Sequence, residues 1–197
     1  MPTSTDAPAP GRRRAAALPA DERRSSIVAV TIPLLLEHGE RLTTRLIADT
    51  AGIAEGTLFR VFPDKDAILD AAVDACVDPA PFEEALSALD PSRPLAAVVA
   101  DAVRIAQVRV IEVGRVFSSV GPRLRERKSR PMADSPALAR LLEAHRAELR
   151  LSPRASARAL RALTFALSHP LMVERPAPPG EIAELFLQGA LNREARC

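Results

Sequence analysis

Apolar residues along this chain recur three and four positions apart, the spacing of one face of an α-helix. From Asp21, the residues Ile27, Val30, Thr31, Leu34 and Leu35 share a face, and Gly39 stops the helix they predict. Pro33 lies inside that helix, where it removes one backbone hydrogen bond and costs up to about 3 kcal/mol, so a kink is expected there and not a break. Later boundaries fall at Asp78-Pro79, Asp90-Pro91, Gly121-Pro122, Ser135-Pro136, Ser152-Pro153, His169-Pro170 and the run 176–180. Between them helical patterns cover 65–77, 81–89, 94–119, 136–150, 154–168 and 181–193, several opening with Ser or Asp followed by Pro, the order of an N-cap and a first-turn proline. No stretch alternates with period two for long enough to predict a strand, and no internal repeat is visible. The expectation is an all-α protein of about nine helices.

Composition sharpens this picture. Aromatic residues are 3% of the 197 residues, with no Trp or Tyr, so the core has to be built from Leu, Val, Ile and Ala, a mixture suited to helix packing. A net charge of +2 permits a nucleic-acid partner without arguing for one. Cys76 and Cys197 lie far apart without a metal-ligand neighbourhood, which predicts neither a disulfide framework nor a zinc site and fits a reducing cytoplasm. Residues 1–20 are rich in Pro, Ala and Thr and predict a disordered tail; its Arg12 to Arg14 form a basic arm able to enter a minor groove or simply remain solvated. With no continuous apolar segment of membrane-spanning length, the chain is expected to be soluble and not exported, with no membrane partner.

The chemistry concentrates in the stretch from His38 to Leu69. Thr43 can N-cap a short helix carrying Leu46, Ile47 and Ala48, closed by Ala51-Gly52; a second short helix runs from Glu55 to about Val61. Two short helices joined by a tight Gly-containing turn are the geometry that places the second helix in a DNA major groove. Ile53, Leu58 and Phe62 serve as apolar anchors, leaving Glu55, Gly56, Thr57, Phe59 and Arg60 for the other faces.

This run resembles the tetracycline-repressor (TetR) family. Ile47-Ala48, Ala51-Gly52-Ile53, Gly56-Thr57-Leu58-Phe59, Phe62 and Lys65-Asp66 match that family's pattern at the family's spacing. The resemblance covers roughly the first third of the chain after the tail. It implies an N-terminal three-helix helix-turn-helix domain over 21–77 and a larger helical effector-binding and dimerisation domain over 78–197. The implied DNA contacts are Thr43, Thr44, Arg45, Glu55, Gly56, Thr57, Phe59, Arg60 and Lys65: backbone N–H groups, hydroxyls and Lys65 hold phosphates, while Arg45, Thr57 and Arg60 choose sequence, arginine facing guanine being the commonest specific contact. Three positions depart from the pattern. Phe59 replaces a tyrosine whose hydroxyl reaches phosphate, Val61 a frequent histidine, and Ala54 a frequent serine N-cap, the last worth on the order of 1 kcal/mol.

For the remainder of the chain, the resemblance implies a four-helix interface between two copies, carrying Leu160, Leu163, Leu167, Ile182, Leu185, Phe186 and Gly189 from two amphipathic helices, while Gln107, Phe117, His145, Phe165 and Met172 are expected in an otherwise apolar ligand pocket. His38, His145 and His169 stand without clustered carboxylates, and there is no phosphate loop, so neither enzyme, cofactor nor metal is expected. The partners implied are double-stranded operator DNA, a second copy and a small, apolar effector. Two other readings fit the sequence: a sequence-tolerant architectural DNA binder, separated by its uniform affinity across fragments, and a helical carrier or enzyme, separated by DNA affinity that is absent or indifferent to Arg45 and Lys65.

Overall fold

The computed structural model describes residues 19–128 and 132–190, and the regular structure within them is entirely helical. The chain runs α1 (Ala20–His38), α2 (Thr44–Thr50), α3 (Glu55–Val61), α4 (Lys65–Val77), α5 (Ala80–Ser87), α6 (Leu95–Ser119), α7 (Pro122–Lys128), α8 (Pro136–Glu143), α9 (Pro153–Ala166) and α10 (Pro179–Ala190). Short 3-10 turns follow α1 at Gly39–Arg41 and α8 at Arg146–Glu148. The expected tail, its Arg12 to Arg14 arm and Cys197 lie outside the described residues.

Local chemistry sets most of these boundaries. Helix α1 runs unbroken through Pro33, whose ring is on the exposed side, and ends where Gly39 takes φ +56°. Ser135 and Ser152 cap α8 and α9, accepting from the amides of Leu138 at 3.2 Å and Ala155 at 3.3 Å, with a proline in the first turn of each.

Two elements differ from the sequence pattern. The helix expected over 136–150 ends at Glu143, and the chain continues as a 3-10 turn; His145 and Leu149, the residues that flank this turn, are both buried, so the apolar stripe outlasts the α-helix. Helix α7 was not expected at all, because its only large apolar residue is Leu124. Polar contacts hold it instead: Arg127 meets Asp70 at 2.5 Å, Lys128 meets Asp74 at 2.7 Å, and Arg125 donates to the carbonyls of Phe117 at 2.9 Å and Val120 at 3.1 Å.

Two cores result. One gathers Ile27, Leu35, Leu42, Ile47, Leu58, Phe62, Ile68 and Val73 from α1 to α4. The other gathers residues of α5, α6, α8, α9 and α10, among them Leu86, Val99, Val103, Leu138, Leu142, Leu160 and Ile182. Helix α6 belongs to both, since Val116 and Val120 at its C-terminal end are buried in the first core. A displacement of the middle of α6 is therefore felt by both cores, because close-packed interiors transmit strain.

Candidate nucleic-acid interface and adjoining cavity

Helices α2 and α3 are seven residues each, too short to persist alone, and their placement comes from burial of Ile47, Ala48, Leu58 and Phe62 against α1 and α4. Between them Gly52 adopts φ +67°, a left-handed conformation that L side chains rarely take, and this tight turn sets the angle of α3. Thr43 caps α2, its hydroxyl accepting from the amide of Leu46 at 3.2 Å. Helix α3 has no such cap at Ala54; its N-terminus is tied to α2 instead, the Thr44 hydroxyl donating to Glu55 Oε1 at 2.6 Å.

Around these anchors the sequence-predicted contacts come to the surface together. Thr43, Arg45, Glu55, Gly56, Phe59 and Arg60 are exposed, and Thr44, Thr57 and Lys65 are half-buried. A Cβ at Gly56 would meet nothing within 4 Å, so the backbone of α3 is open to close approach there. Phe59 is 45% exposed, a large apolar ring facing water beside charged groups. Arg45 is held only loosely, 3.9 Å from Asp49. Lys65 donates from Nζ to the carbonyl of Glu40 at 3.2 Å, which places its ammonium at the junction of α1 and α4.

Sequence reasoning missed Arg24. Its guanidinium lies 4.2 Å from the centre of the Phe62 ring and donates to the carbonyl of Val61 at 3.5 Å, adding a cation at the C-terminal end of α3. The basic pair Arg23-Arg24 just ahead of the first apolar face was the available signal.

The remaining half of the chain contains a cavity of about 530 Å³, within the roughly 300–1,000 Å³ typical of small-molecule sites. It lies between the C-terminal end of α4, α5, the middle of α6, the C-terminal end of α9 and the segment 132–134. Phe117 and Phe165, both expected in a pocket, line it, and so do Phe82, Val110 and Val113. Gln107, His145 and Met172 do not. The Gln107 amide is buried and donates to Ser168 Oγ at 3.0 Å and to the carbonyl of Ala177 at 2.7 Å, pinning the connection between α9 and α10 onto α6. His145 is buried just past the end of α8, its Nδ1 2.9 Å from Glu148 and its Nε2 without a hydrogen-bond partner among the described residues. Met172 is 61% exposed on a turn.

Two arginines that the pattern did not single out also line the cavity. Arg109 and Arg161 flank one ring, their guanidinium carbons 5.8 Å and 5.4 Å from the centre of Phe82. Burial lowers the pKa of each from the ordinary arginine value, and for Arg161 the nearby positive charge of Arg109 adds to that effect. Each was findable from spacing, since Arg109 falls three after Ala106 and four before Val113 on the apolar arc of α6, and Arg161 four before Phe165.

The residues expected between two copies divide. Leu160, Ile182 and Phe186 are sealed in the chain's own core, and Leu163 and Leu167 are half-buried against it. Leu185 and Gly189 are exposed, as are Ala159, Ala162 and Phe165 on α9.

Residues 27–72 match the sequence profile described as bacterial regulatory proteins, tetR family. No curated protein matches the sequence at a significant level. Solved structures with the same fold include NalD, the secondary repressor of the MexAB-OprM multidrug efflux pump in Pseudomonas aeruginosa, at 22% identity and TM-score 0.53, over 88% of this chain and 98% of that one. SmeT, the repressor of the Stenotrophomonas maltophilia multidrug efflux pump SmeDEF, aligns at 21% identity and TM-score 0.56, covering 88% and 93%. A tetR-family transcriptional regulator from Streptomyces coelicolor aligns at 18% identity and TM-score 0.56, covering 87% and 80%.

Proposed function

We propose, from the match of residues 27–72 to the profile of bacterial regulatory proteins of the tetR family, that the chain is a transcriptional repressor that binds a two-fold symmetric operator as a homodimer and leaves it when a small molecule occupies the cavity. The observation that carries this reading is the helix-turn-helix itself: a left-handed turn at Gly52 and a buried Leu58–Phe62 anchor hold α3 so that Gly56, Phe59 and Arg60 face solvent, as Arg45 of α2 does. Thr43, Thr44 and Lys65 hold phosphates and fix register, Glu55 orients Thr44, and Arg45, Thr57 and Arg60 read base edges.

Dimerisation uses the outer faces of α9 and α10. Ala159, Ala162 and Gly189 allow close helix approach, with Leu185 as the apolar contact. The two readers then enter successive major grooves about 34–36 Å apart. A ligand that prefers the cavity of the non-binding state shifts α4, which runs from the reader to the cavity wall, and changes that separation. The fold is shared with two efflux-pump repressors, which supports repression as the sense of regulation.

Selection of bound DNA from a random pool tests this reading. The expected product is a palindromic motif, and Arg45→Ala or Lys65→Ala weakens its binding by about 10-fold or more, as loss of a charge-assisted contact should. Affinity that is equal for all fragments at fixed salt overturns it.

A further inference from the structure

The cavity holds two half-buried cations that share its wall with the carboxylates of Glu83 and Asp134 but touch neither. Among the described residues neither Arg109 nor Arg161 forms an ion pair with a carboxylate. The acids in the wall are engaged elsewhere: Asp134 holds Arg154 at 2.5 Å and Arg158 at 3.1 Å, and Glu83 Oε2 accepts from the amide of Ala137 at 2.8 Å. Lys128, the third cation of the wall, is matched by Asp70 and Asp74. Asp78, Glu112 and Glu83 act on Arg109, and Glu83 and Asp134 on Arg161, only from beyond ion-pair range. Holding two like charges side by side with their carboxylates out of contact is costly, and an incoming anion that touches both offsets that cost.

What the two guanidinium groups now hold is backbone. Arg161 donates to the carbonyl of Ala133. Arg109 donates to the carbonyls of Cys76 at 3.4 Å and Val77 at 2.7 Å, the last two residues of α4. A cation at the C-terminal end of a helix is favoured by the unsatisfied carbonyls there, so Arg109 acts as a clamp on the end of α4 that faces the cavity.

We propose that the cavity takes an amphipathic carboxylate, its acid group on Arg109 and Arg161 and its apolar body along Val110, Val113, Phe117 and Phe165, and that the ligand releases α4 by drawing Arg109 off Cys76 and Val77. The regulatory half of this inference rests on the repressor reading above; the binding half does not. An arginine fork engages a carboxylate in two parallel hydrogen bonds, a better acceptor than two carbonyls, one of them at 3.4 Å. Ligand preference and helix release thus come from the same side chain.

The test pairs ligands that differ only in the acid group: decanoate against decanol, and 2-naphthoate against 2-naphthol, with calorimetric binding to the full chain and release of selected DNA by anisotropy. At least one carboxylate is expected to bind about 10- to 100-fold more tightly than its alcohol, and Arg161→Gln removes that preference. Arg109→Lys keeps a positive charge but loses the fork, so it retains part of the preference while ligand no longer releases DNA. Circular dichroism of each variant separates loss of binding from loss of fold. Equal or tighter binding of the alcohols, no binding of either carboxylate, or a preference that survives Arg161→Gln overturns the ligand assignment. Release that survives Arg109→Lys overturns the clamp. Failure of the repressor reading is distinct, since it appears as absent or non-selective DNA binding before any ligand is added.

Discussion

At position 59, α3 presents a phenyl ring to water, 45% exposed and beside Gly56 and Arg60. Burying such a ring on a sugar-phosphate edge contributes apolar contact but no hydrogen bond, whereas a phenol in the same rotamer adds one donor at the ring tip. Phe59→Tyr is therefore expected to raise affinity for the selected operator by about 3- to 10-fold, the worth of one added net hydrogen bond, without altering the recovered motif. Fluorescence anisotropy across a salt series reads this; unchanged binding by the tyrosine variant would place the ring away from the DNA. The departure at Phe59 was visible in the sequence, as was the missing hydroxyl at Ala54. The tie that takes over there was not, because the Thr44–Glu55 hydrogen bond joins two helices across a turn whose angle Gly52 sets.

At the scale of elements, α6 is a single helix with three different environments along one arc. Val99, Val103 and Ala106 are buried in the larger core, Val110, Val113 and Phe117 face the cavity, and Val116 and Val120 close the smaller core. Gly114 is the point of closest approach between α6 and the turn after α9: a Cβ there would lie 2.7 Å from Cδ of Pro170 and 3.2 Å from Nε2 of His169. A proline ring is tied to the backbone and cannot rotate away. Gly114→Val is accordingly expected to destabilise the chain by about 1–3 kcal/mol, the usual cost of overpacking, in spite of the poor helix propensity of glycine. Urea unfolding followed by far-ultraviolet circular dichroism measures it, and a variant as stable as the parent would show that the 168–170 turn yields freely.

For the whole molecule, the outer surface of α9 and α10 is the part of the design the single chain does not explain. Leu185, 46% exposed, and the small residues Ala159, Ala162 and Gly189 leave a smooth apolar strip on two neighbouring helices. If this strip joins two copies, Leu185→Glu sets like charges against each other across a two-fold axis and gives a monomer in sedimentation equilibrium. The same change should lower operator affinity more steeply than any single contact in α3, because both half-sites are lost as a linked pair. A dimer that persists at micromolar concentration in this variant would assign the interface to another surface.

The helical class, most helix starts and the helix-turn-helix were legible in the residues themselves. They depend on local signals: three-and-four apolar spacing, Ser-Pro caps, and a glycine where φ must be positive. Only the tertiary structure decided which apolar faces are sealed and which stay open. Leu160 and Phe186 carry the same periodic signal as Leu185, yet the first two are buried by α6 and the third is left to solvent. It also decided the character of the cavity. Spacing placed Arg109 on the apolar side of α6, but its meaning depends on Phe82 and Arg161 from other helices and on the carbonyls of Cys76 and Val77 at the end of α4. A period along one helix carries no information about which distant charges it will meet, and electrostatics inside a fold is set by those meetings.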